Sequence, residues 1–364
     1  MDDRPRQSNF ELMRIVAMFL IIACHFVSGI TPPLKDRMPV NDAVIALYFP
    51  GGQVGVALFF ILSGFFGERG AMRPAKAARI VLALFFYAWL ALLFYALVRL
   101  LGIYDFPRLS KAALTECLVD ALIPYSSGTW WFITAYIPLQ LVKRQVNALL
   151  GRLSRTGLAV LLLALWFFWY SLANGYKGIL SYFTFEKAVF FYAAGFFARR
   201  EVEPSASALF GKAPSLALAA LSYLGASAMQ ILYTGPARGP FPKIVFYAAQ
   251  GAVFVPLSAF FLFVFFMRLE VKSSALVNRT AATTLGVYIF HRSNIMAHFF
   301  FRKLFDGARL YARADFPLSL TASVAAVFAL CAAVEAVRAR AVEPFVLGKL
   351  SAALARAKGR LLRG

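Results

Sequence analysis

Apolar residues in this chain come in runs of about 18 or more, and most charged residues sit between the runs. A bilayer core is crossed by roughly 17–25 apolar residues in helix. The pattern therefore predicts an all-α polytopic membrane protein with about ten transmembrane helices. They fall near residues 10–30, 43–66, 79–101, 129–142, 157–174, 183–198, 214–233, 244–267, 280–301 and 317–337. The fourth and sixth are short for a span. Residues 103–128 carry a helical period but too many charges for lipid, and predict an interfacial helix. Residues 1–340 read as one integral membrane domain. Residues 341–364 form a basic tail, placed either on the inner leaflet or in solvent.

Composition supports this class. The 364 residues are 61% hydrophobic and 15% charged, where a soluble domain is nearer a quarter charged. The net charge of +21 does not point to nucleic acid, because the basic residues are spread between the apolar runs. Lys and Arg of the connecting segments fall almost two to one on the side of the N-terminus, which predicts cytoplasmic N- and C-termini. The basic N-terminus followed by an apolar run resembles a signal peptide. No clean cleavage site follows, so a retained first helix is expected. Cys24, Cys117 and Cys331 are scattered and show no metal-ligand spacing, so neither a disulfide framework nor a structural metal is expected.

Titratable groups inside spans are costly and mark candidate sites. The first span, ELMRIVAMFLIIACHFVSG, holds Arg14 and His25. Eleven residues bring them ~20° past three full turns, so they share one helix face about 16 Å apart. Met18 and Ile21 or Ile22 lie between them, and Glu11 is placed to pair with Arg14. Arg14 alone would suit a snorkelling anchor and His25 alone a packing residue. Together on one face they favour function. Cys24 points ~100° away from His25 and does not form a nucleophilic pair with it.

Further candidates follow along the chain. His291 and His298 are seven apart in TTLGVYIFHRSNIMAHFF, which predicts a shared face with Asn294 near it; without a carboxylate there, a metal site is not expected. In GGQVGVALFFILSGFF, Gly51, Gly52, Gly55 and Gly64 predict close helix packing, and Ser63 is placed to bond a neighbouring helix or a substrate. Arg69, Arg73, Lys76 and Arg79 form a basic cluster that suits either positive-inside topology or the phosphates of an anionic donor. Trp130, Trp131 and Tyr136 fit an interfacial aromatic belt or a stacking surface for a sugar.

These stretches, in this order, resemble the acyltransferase-3 family of integral membrane acyltransferases, most closely its bacterial members that O-acetylate surface polysaccharides. The arginine, ten residues, then histidine of the first helix carries most of the resemblance. FFILSGFF, RPAKAARI, TWWFITAY and TTLGVYIFH support it, over about residues 9 to 340. Arg292 stands where close relatives often have an acidic residue, and Phe26 where many have a second histidine. The resemblance implies an O-acyltransferase of the cell inner membrane. It would move an acyl group, acetyl foremost, from acyl-CoA to a hydroxyl of a cell-surface glycan or its lipid-linked precursor. It implies His25 as the catalytic histidine, Arg14 as its partner, and the basic cluster as the donor contact. His25 would act as a base or carry the acyl group itself. Ser63, Asn294 and Arg14 are candidates to hold the oxyanion, and His291, Trp131 and Tyr136 to meet substrate. A transporter or flippase for a lipid-linked glycan is the alternative, since intramembrane Arg and His also suit transport paths. It lacks the inverted-repeat pattern expected of such proteins. A non-catalytic assembly subunit is a third reading.

Overall fold

The computed structural model describes residues 7–30, 38–67, 74–102, 109–124, 128–167, 184–234, 251, 253–346 and 348. Among the described residues the chain is helical with no strand. Helix occupies each of the ten expected spans as far as it is described. Ser8–Ser28, Pro39–Phe65, Lys76–Leu101, Lys212–Leu232 and Phe316–Val346 are long and apolar enough to cross a membrane. Arg155–Phe167 and Val255–Arg268 are shorter apolar helices. The protein is an all-α polytopic membrane protein.

The N-terminal half runs through α1 (Ser8–Ser28), α2 (Pro39–Tyr48), α3 (Gly51–Phe65), α4 (Pro74–Leu101) and α5 (Lys111–Leu122). It continues through α6 (Trp131–Arg152) and α7 (Arg155–Ala164). The C-terminal half holds α8 (Thr184–Phe197), α9 (Lys212–Thr234), α10 (Val255–Arg268) and α11 (Ala275–Ala282). After it come α12 (Thr284–Arg292), α13 (Asn294–His298), α14 (Gly307–Tyr311) and α15 (Phe316–Val337). The predicted interfacial helix is α5, capped by Ser110, whose hydroxyl accepts from Ala113 N–H. Of the tail, helix continues past α15 to Val346, and residues 349–364 lie outside the described residues.

Two span boundaries differ from the sequence reading. The fourth helix does not stop near 142 but runs to Arg152. Its polar extension is anchored rather than free. Asn147 donates to the Gly67 carbonyl and accepts from the Tyr192 hydroxyl. The ninth span is not one helix but α11, α12 and α13, with breaks at Thr283 and Ser293. Ser293 leaves the helical region at ψ 134°, and its N–H bonds Phe290 rather than Ile289.

Lipid is as apolar as leucine, so helices in a membrane associate through close packing rather than through escape from water. α3 shows how. A Cβ on Gly55 would strike the Ala17 carbonyl and Ile21 of α1. On the opposite side a Cβ on Gly64 would overlap the Tyr192 carbonyl of α8, and one on Gly195 the Ile61 carbonyl of α3. Both neighbours reach the α3 backbone, as the expected role of these glycines requires. This contact holds α1 at a fixed rotation. Its other side meets α12 and α15.

Candidate active site

The stripe expected on α1 is present and lines a cavity. Arg14, Met18 and Ile21 border a cavity of about 480 Å³, and His25 follows one turn beyond its inner end. Arg14 pairs with Glu11 at 3.3 Å and is 36% exposed. Cys24 faces α3, where a Cβ on Gly52 would touch its sulfur, so it stays apart from the His25 ring as expected.

His25 meets His291. Its Nδ1 lies 2.9 Å from His291 Nε2, and the ring centroids are 5.2 Å apart. The other nitrogen of His291, Nδ1, is 2.6 Å from the Val287 carbonyl oxygen. A carbonyl only accepts, so His291 Nδ1 carries a proton and donates it. With both rings neutral, His291 Nε2 is then an acceptor, and His25 Nδ1 must be the donor to it. The remaining nitrogen, His25 Nε2, is left with its lone pair. This arrangement follows the logic by which a buried carboxylate sets the tautomer of a catalytic histidine. Here a fully buried second imidazole does so, anchored on its own helix.

The helix break explains why His291 is so placed. It ends α12 one residue after the histidine and frees the Ile289 carbonyl from its usual partner. Trp130 Nε1 donates to that carbonyl at 2.9 Å. Trp130 is thus a buried structural donor rather than part of an aromatic belt. The break also corrects the expected pairing of His291 with His298. A seven-residue spacing gives a common face only within one continuous helix. Asn294 begins α13, half-buried, and does not line this cavity.

Other expected residues divide in the same way. Ser63 lines the cavity and accepts from Gln140 Nε2 at 2.8 Å, tying α3 to α6. Tyr136 lines it beside Phe132, Ile133 and Gln140, one face of α6. Trp131 is half-buried on another face and does not line it. Lys76 and Arg79 stand at the cavity, while Arg69 and Arg73 lie outside the described residues.

Sequence reasoning missed several cavity groups. Lys143 of α6 faces Lys76 closely enough to feel its charge. Two ammonium groups lining one cavity make a place for an anion. Deeper lies a buried network. Tyr87 donates to Glu335 Oε2 at 2.6 Å, and Arg338 bonds the same carboxylate at 2.7 and 2.9 Å. Arg338 also bonds Glu343, which pairs with Arg79. A signal was available, because Glu335 is the one charge in α15. Arg338, three residues on, could have been read as its pair; Tyr87 could not, since it comes from α4.

The wall between cavity and histidines is Tyr288, whose ring centroid lies 6.2 Å from that of His291. The arrangement can admit an anionic ligand at the lysines and has a tautomer-fixed imidazole one turn past the other end. Comparisons with curated proteins and with solved structures found no match. A family model described as an acyltransferase domain, that of the acyltransferase-3 family, matches residues 7–336. That match spans nearly the whole bundle, so the chain belongs to the acyltransferase-3 family and is a membrane acyltransferase.

Proposed function

We propose that this acyltransferase moves an acyl group, acetyl foremost, from acyl-CoA to a hydroxyl of a cell-surface glycan or its lipid-linked precursor. The observation that carries the reading is the His25–His291 hydrogen bond, which leaves His25 Nε2 as a free base. The donor phosphates would sit at Lys76, Lys143 and Arg79, with Arg69 and Arg73 of the same basic stretch as further contacts. Its extended arm would follow the α1 face from Arg14 past Ile21. The thioester must then pass Tyr288.

His25 Nε2 takes the proton of the acceptor hydroxyl as that oxygen attacks the thioester carbonyl. His291 keeps the ring in this tautomer and shares the charge that develops on it. When the carbon–sulfur bond breaks, Nε2–H returns the proton to the departing thiolate. Of the oxyanion candidates, Ser63 and Arg14 border the cavity before Tyr288, and Arg14 stands about 16 Å along α1 from His25, so it meets the donor on its way in rather than the oxyanion. The basic cavity end lies on the side of the N-terminus, which in this reading faces the cytoplasm of a bacterial inner membrane.

The test compares surface glycan by mass spectrometry from cells carrying the wild-type chain, a deletion, and His25→Ala. A mass shift of one acyl group is expected with the wild type only. Glycan that stays acylated in the His25→Ala cells, with the variant expressed normally, would falsify the reading.

A further inference from the structure

Arg338 opens the π-helical turn Arg338–Val342 that follows α15. A π turn stacks residues five apart, so Glu343 comes to lie over Arg338 while Glu335 approaches from the preceding turn. The two carboxylates take Nε and Nη2 of the guanidinium at 2.7–2.9 Å. The guanidinium is planar, so its third nitrogen, Nη1, points away from that edge. The Arg338 side chain is 4% exposed and borders the cavity, yet Nη1 has no partner among the described residues. A buried donor without an acceptor is costly, so this one is poised to take a ligand oxygen.

The charge around it is balanced. Arg338 and Arg79 face Glu335 and Glu343, two cations against two carboxylates. Nη1 therefore offers a donor without offering net positive charge. That differs from Lys76 and Lys143, which pair with no carboxylate among the described residues. Its depth is also different. Glu335 packs on Gly286, five residues and about 7.5 Å before His291 on α12. Glu343 and Arg79 lie toward the lysines.

The geometry points to Arg338 Nη1 as a binding donor for a neutral carbonyl on the extended arm of the acyl-CoA, between phosphate and thioester. Glu335, locked by Tyr87, and Glu343 hold the guanidinium and cancel its charge, which makes the subsite selective for an amide over a phosphate. This rests on the acyl-CoA reading above.

Binding to the full chain in lipid nanodiscs distinguishes the two. The probes are CoA, which has the amide arm, and 3′-phosphoadenosine 5′-diphosphate, which has the phosphates without it. Arg338→Lys keeps the charge for Glu335 but loses the fork. It should weaken CoA about tenfold and leave the nucleotide unchanged. Lys76→Gln with Lys143→Gln should weaken both. The double variant Glu335→Gln, Arg338→Met removes the donor and neutralises its buried partner together, and serves if Arg338→Lys does not fold; it should show the same selective loss. An equal loss for both probes would make Arg338 a phosphate contact, and no loss for either would make it purely structural; both overturn the inference. A wild-type chain that binds neither probe overturns the acyl-CoA reading itself.

Discussion

At the scale of single residues, the chemistry of His25 is set by a neighbour 266 positions away. The Arg14–His25 stripe was legible from helical period alone. What the stripe lacked was the proton count on each nitrogen, which depends on His291 and the Val287 carbonyl. This gives a graded expectation. His291→Ala should lower kcat by about 10²–10⁴-fold with KM little changed, because the tautomer of His25 is no longer held. His291→Gln should recover part of that loss, since its amide oxygen can accept from His25 Nδ1–H. Steady-state kinetics of the purified chain on both variants checks this. Equal activity of all three forms would reduce the pair to packing.

At the scale of elements, the break at Ser293 decides the site. An unbroken helix through 280–301 would pair the Ile289 carbonyl internally and leave Trp130 no role. Trp130→Phe should leave that carbonyl without a partner and cost about 1–3 kcal/mol, read as a lower unfolding midpoint in detergent. The glycines of α3 were legible as packing positions, although their partners were not. Gly64→Ala should disrupt folding, because a Cβ there meets the Tyr192 backbone and not a movable side-chain tip. Gly151→Ala, where a Cβ would meet nothing within 4 Å, is the matched control and should express normally.

At the scale of the whole molecule, basic residues also close helix ends. Arg200 donates to the carbonyls of Leu150 and Leu153, closing the end of α6. Arg268 gathers the carbonyls of Val202, Glu203, Ser205 and Phe210. These cations satisfy helix ends that sit at one end of the bundle. The same end holds the cavity cations, so the orientation can be tested directly. With the three native cysteines replaced by serine, a cysteine at exposed Ser154 should react with a membrane-impermeant thiol reagent only in opened cells. One at exposed Ser110 should react in intact cells. The reverse pattern would place the cavity cations outside.

The sequence by itself determined the membrane class, the presence of helix at the expected spans and the rotation of α1. Each depends on quantities local to a run of residues: its apolar length, its charge and its 3.6-residue period. Only the tertiary structure decided which residues meet. His25 with His291, Gln140 with Ser63, and Tyr87 with Glu335 are contacts between helices far apart in the chain. No local period encodes them, because they arise where small residues let particular helix faces approach. The break at Ser293 belongs to the same class. It persists because Trp130, from another helix, takes the carbonyl that the break sets free.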